Sequence, residues 1–106
     1  MVSGNKLKSE LPIPSDVRSD KNARELIRAW AAHHGLHCSL SVDNWGENER
    51  IGWGILLTDI VRHVADAMQQ QKGWDKSETI HEIRRVFNAE LDSPTADPSG
   101  KLHRPQ

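Results

Sequence analysis

IGWGILLTDIVRHVADAMQQ, residues 51–70, is the stretch around which the rest of the chain is organised. Trp53, Leu56, Leu57, Ile60, Val61, Val64 and Met68 fall at i, i+3, i+4, i+7, i+8, i+11 and i+15, which is one apolar stripe of an α-helix. Ile55 and Ala65 widen the stripe, so cover is expected on more than one side. Thr58, Asp59, Arg62, His63 and Asp66 take the remaining arc. Asn48 is placed to cap the start, with Asn44 the earlier choice. Gly73 can end the helix in the left-handed conformation, with Trp74 closing back onto Met68 or Gln69. The expected span is about 49–72. Gly52 and Gly54 each cost roughly 1 kcal/mol against Ala inside a helix, and their presence implies close approach of another backbone to the first turn.

Downstream, Asp75 and Glu78 form an N-cap and N3 pair, the capping-box arrangement. Ile80, Ile83, Phe87 and Leu91, with Val86 beside them, give a second stripe and a helix over about 76–92. A link of two or three residues makes the two helices antiparallel neighbours. Residues 94–106 are rich in Pro, Gly and Ser and nearly free of apolar side chains, so a disordered tail is expected.

Upstream, Ser19 or Asp20 can cap a helix in which Ala23, Leu26, Ile27, Trp30 and Ala31 sit at i, i+3, i+4, i+7 and i+8. Gly35 at C′ and Leu36 behind it supply a stop, which predicts a helix over about 20–34. LHCSLSV, residues 36–42, alternates: Leu36, Cys38, Leu40 and Val42 face one way, and His37, Ser39 and Ser41 the other. That is a half-buried strand, and its backbone groups need a partner. The N-terminal arm Lys6–Leu11 alternates too, but Pro12 and Pro14 cut its ladder short. The favoured partner is the same strand of a second copy, antiparallel across a two-fold axis near Ser39. The fold class expected is α+β and predominantly helical: three helices, one strand, a disordered start at 1–9 and a single domain over 10–93.

Of 106 residues, 36% are hydrophobic, and the roughly 80 that remain between polar ends make a marginal core, which a homodimer would relieve. Lys+Arg number 14 against 15 Asp+Glu, a net charge of −1. This gives no global electrostatic motive for nucleic acid or an anionic membrane as partner. Arg84, Arg85 and Lys76 share their helix with Glu78, Glu82, Glu90 and Asp92, so no basic recognition face forms. Cys38, the single cysteine, excludes an internal disulfide and fits a reducing compartment. MVSGNKLKSE has no apolar h-region and no run of about 18 apolar residues occurs, so a cytoplasmic protein is expected.

Four groups carry possible chemistry. His33, His34, His37 and Cys38 are ligand types zinc or copper accepts, but adjacent residues on a helix or strand diverge, and a closed site runs short of ligands. Asp59 and His63, one turn apart with Arg62 and Asp66 near, are half of a general-base arrangement and also an ordinary surface pair. No nucleophile, GxSxG elbow or phosphate loop accompanies them. Trp45, at a turn, suits a contact surface or a small-ligand groove. No catalytic, cofactor or metal role is assigned, and no cofactor is expected. His37, Trp45, Asp59, Arg62 and His63 are the candidates for a functional surface. The reading favoured is a non-enzymatic, self-associating interaction module. The alternatives are a small-ligand or metal-responsive domain using residues 30–45, and an enzyme using Asp59, Arg62 and His63.

LPIP, the ARELIRAWAA helix, the HCSL strand and the WGILLTDIVRH helix together resemble a small bacterial family known as a domain of unknown function, over about residues 10–94. The resemblance implies a compact, stand-alone bacterial protein of this size and brings no activity, cofactor or catalytic residue with it.

Overall fold

A computed structural model describes residues 7–95 and 102–103 of the chain. Its largest part is a helical hairpin, α2 (Glu49–Lys72) packed on α3 (Lys76–Asp92), with the bounds that the apolar spacing predicts. Gly73 ends α2 at φ 72°, its N–H donating to the Gln69 carbonyl at 2.9 Å. Asp75 caps α3 by accepting from the Glu78 N–H at 3.0 Å. Trp74 stands 53% exposed, with the Lys72 ammonium 5.4 Å from its ring centroid, so its partner is a cation.

The expected helix over 20–34 is not formed. Among the described residues before Ile27 only a single turn, α1 (Ser15–Arg18), is helical. Ile27–Ala32 is a strand, β1, and pairs antiparallel with β2 (Gly35–Leu40), from Ile27 opposite Leu40 to Ala32 opposite Gly35. The Ser41 N–H donates to the Leu26 carbonyl at 2.9 Å and extends the ladder by one rung. The physical reason is the demand that residues 36–42 make for a partner. Ile27–Ala32 supplies it across the shortest possible loop, at less entropic cost than any distant segment. His33 and His34 form that loop, at φ 51° and 63°. Both central residues of a type I′ turn need positive φ, and it is these histidines, not Gly35, that take the left-handed conformation.

The pairing expected for the 36–42 strand is corrected with it. β1 holds one edge of β2. On the other edge β3 (Leu102–His103) runs parallel, opposite Cys38 and Ser39, inside the stretch expected to be disordered. Ser39 therefore does not sit on a two-fold axis, and the sheet has three strands among the described residues instead of one. The other parts of the two disorder expectations, residues 1–6, 96–101 and 104–106, lie outside the described residues. The chain is a mixed α and β fold.

Alternation along the ladder puts Ile27, Ala29, Ala31, Leu36, Cys38 and Leu40 on one face of the hairpin, and Arg28, Trp30, Ala32, Gly35, His37 and Ser39 on the other. The apolar face is thinly covered: Leu36 is 55% exposed, and Ala29 and Ala31 are exposed too. The same holds on the helices. Leu26, Trp30, Leu56, Val64 and Ile83 are half-buried, Ile60 and Phe87 lie open, and among the described residues only Ala65 and Thr79 are buried.

Candidate functional site

The link into α2 is built on Glu49. Its Oε1 accepts from the backbone N–H of Asn44 (2.9 Å) and of Trp45 (2.8 Å), and its Oε2 accepts from Trp53 Nε1 (3.0 Å). Asn48 holds the N-cap position without a side-chain hydrogen bond, so the carboxylate of Glu49 does the fastening. Partial burial pushes the Glu49 carboxyl up, but the bonds from Trp45 and Asn44 N–H, then from the Trp53 and Asn44 side chains, outweigh it and hold it below the ordinary glutamate value.

So fastened, Trp45 lays its indole over Gly52 and meets Trp53 edge to face, with ring centroids 6.2 Å apart and planes at 79°. What approaches the first turns of α2 is thus a side chain, and only at Gly52. Gly54 faces open space, and its carbonyl accepts from Thr58 Oγ1 at 2.8 Å.

Beside this indole runs an open groove of about 710 Å³. Leu26, Trp45, Ile51, Gly52, Ile55, Leu56 and Ile60 give it apolar walls, and Asn48, Asp59 and His63 add polar groups. Three of the five candidate residues, Trp45, Asp59 and His63, therefore share one site. Arg62 does not line it. His37 lies on β2, its Nε2 3.1 Å from the Ala32 carbonyl oxygen and its ring edge-on to His33 at 6.3 Å. Asp66, the other acid near Asp59, pairs with Lys76 of α3 at 3.0 Å. His33 and His34 belong to the hairpin turn, and among the described residues no three His, Cys, Asp or Glu side chains gather as a metal site would need.

Sequence reasoning missed Glu49 as well as Leu26, Asn48 and the α2 residues Ile51, Gly52, Ile55, Leu56 and Ile60, which it assigned only to capping or packing or not at all. The signal for Glu49 is its spacing, four residues after Trp45 and four before Trp53, so that one carboxylate reaches both. Leu26 had none, because its place depends on the strand that follows it. The groove offers an apolar body with one carboxylate, one imidazole and one amide, which is chemistry for recognition: an apolar surface to exclude water, and three polar groups to fix orientation.

The family model described as Domain of unknown function (DUF5076) matches residues 10–95. A solved structure from the photosynthetic bacterium Rhodopseudomonas palustrus CGA009, provisionally named a pyruvate dehydrogenase, is 30% identical, with 99% of this chain and 100% of that chain covered and a TM-score of 0.67. A search of curated proteins gives no match. None of the described helices is long and apolar enough to cross a membrane.

Proposed function

The chain belongs to the DUF5076 family, and from its own geometry we propose that it is a self-associating interaction module, a homodimer built to complete its core between two copies. One observation carries the reading. A folded domain buries large apolar side chains, yet among the described residues none is fully buried, while Ile51, Ile55 and Leu91 are 64%, 59% and 67% exposed. Apolar surface of this extent is what an obligate homodimer covers, its interface resembling a domain core cut in two. Light scattering coupled to size-exclusion chromatography at micromolar concentration is the test. A mass of twice the 12.0 kDa chain is expected, and a monomeric mass at every concentration overturns the reading.

A second reading, small-ligand binding, is favoured by the meeting of Trp45, Asp59 and His63 in one apolar groove. Its occupant would carry an apolar body and a hydrogen-bond donor or cation for Asp59. A thermal-shift panel of amphipathic amines tests it. A ligand at 100-fold excess over its Kd stabilises by about 2.7 kcal/mol, and a flat panel counts against this reading.

A further inference from the structure

We propose that two copies join edge to edge through β1, pairing antiparallel about a two-fold axis at Ala29, an inference that rests on self-association and names its interface. The bond from the Ser41 N–H to the Leu26 carbonyl fixes which rungs of the hairpin ladder are bonded. Bonded rungs alternate in an antiparallel pair, so Arg28, Trp30 and Ala32 face β2, and Ile27, Ala29 and Ala31 turn their N–H and C=O groups outward. Among the described residues no backbone group meets those outward donors and acceptors. Among the described residues no strand pairs with this edge: β1 runs six residues without proline or bulge, its outward rungs at 29 and 31 carry only methyl groups, and its one charge, Arg28, lies on the other face, paired with Glu25 and Glu10.

The strand is complementary to itself in one register. With Ala29 opposite Ala29 of the partner subunit, Ile27 lies opposite Ala31 of the partner subunit, and all outward groups from Ile27 to Ala31 are used in both copies. The same register sets Arg28 opposite Trp30 of the partner subunit twice over, on the polar face, where a guanidinium stacks well on an indole. The neighbouring registers are worse. A shift of two one way sets Arg28 against Arg28 of the partner subunit. A shift of two the other way runs the ladder into His33, whose φ of 51° has left the strand.

The joined sheet also settles the thinly covered face. Ile27, Ala29, Ala31, Leu36, Cys38 and Leu40 of each copy become one apolar surface spanning both hairpins, wide enough to hold helices on it. Each copy brings its described strands β1, β2 and β3, so joining at β1 makes one six-stranded sheet with a doubled apolar face.

Substituting Ala29→Pro tests the edge itself. The Ala29 N–H points away from β2, so proline there leaves the chain's own ladder whole while removing the donor at the axis. The expected result is loss of the dimer with the circular dichroism of the parent retained, whereas Ala29→Ser stays dimeric. A folded Ala29→Pro chain that remains a dimer overturns the proposal. Should that variant fail to fold, Ala29→Cys in a Cys38→Ala background decides, because paired residues on a bonded rung stand about 5.5 Å apart between Cα atoms, within disulfide reach. Mild oxidation is then expected to yield a covalent dimer, and its absence from a dimeric parent overturns the β1 edge while leaving self-association standing. A monomeric parent overturns both.

Discussion

The Trp45 indole lies so close over Gly52 that a Cβ on that glycine would stand 2.2 Å from its Cε3 atom. Gly52→Ala must therefore push the ring off the helix. The ring has little room to give, since the Trp45 N–H is tied to Glu49 and its edge meets Trp53. Overpacking of this kind costs about 1–3 kcal/mol, against roughly 1 kcal/mol returned by alanine's helix propensity. Gly54→Ala meets nothing within 4 Å and is expected to stabilise by up to about 1 kcal/mol. Thermal melts of the pair should move in opposite directions; equal shifts would show that Trp45 does not rest on Gly52.

Glu49 makes the fastening of the α2 start sensitive to acid. Its folded carboxyl titrates below the ordinary value of 4.5, so its contribution is fully present above that pH and is lost as the pH falls through the lower folded value. Glu82, lowered by the hydrogen bond and then the charge of Arg85, titrates in the same direction. The informative quantity is the difference between the parent and Glu49→Gln. Denaturant midpoints measured from pH 7 down to pH 3 should converge for the two chains, the variant starting lower.

Histidine is a tolerated but strained occupant of positive φ, and the hairpin turn uses two in succession. Replacing His33→Asn and His34→Gly together supplies the pair that type I′ turns prefer, and a gain of about 1 kcal/mol is expected. The gain is read as a rise of several degrees in the melting midpoint. A helix interior at these positions would lose stability from the same glycine.

Asp75 is the one side chain that caps α3. Asp75→Ala is expected to cost about 1 kcal/mol, and Asp75→Ser to recover most of it. Urea midpoints with an unchanged slope are the check.

How far the fold is legible in the chain differs between its halves. α2 and α3 announce themselves because every signal agrees: the apolar spacing, the αL glycine at 73 and the carboxylate at 75. ARELIRAWAA misleads because its signals conflict. Ala, Arg, Glu and Leu are strong helix formers, and Leu26, Ile27, Trp30 and Ala31 fit a helical stripe. The strand alternation of Ile27, Ala29 and Ala31 is muted, since two of the three are alanine. The turn lacks the Asn-Gly or Asp-Gly pair that marks a hairpin, and Gly35 beside it imitates a helix stop. Local propensity lost there to a pairing need set by residues 36–42, visible only once the two segments are considered together. Of the site, Trp45, Asp59 and His63 were legible as polar or aromatic residues away from a stripe, whereas Glu49 reads as ordinary helix-surface charge until its hydrogen bonds are seen.

The two hairpins carry a kinetic consequence. β1 and β2 are joined by two residues, α2 and α3 by three, so the main pairings within one chain close short loops. Hairpin and helix formation of this kind occurs in microseconds, with little search. In the proposed dimer, meeting a second molecule requires diffusion and slows with dilution. Refolding from denaturant would then divide into a rapid phase in which secondary structure returns at a rate independent of concentration, and a bimolecular phase in which the tryptophans lose water. At low concentration the chain would wait between the two, its secondary structure made and its apolar faces still wet.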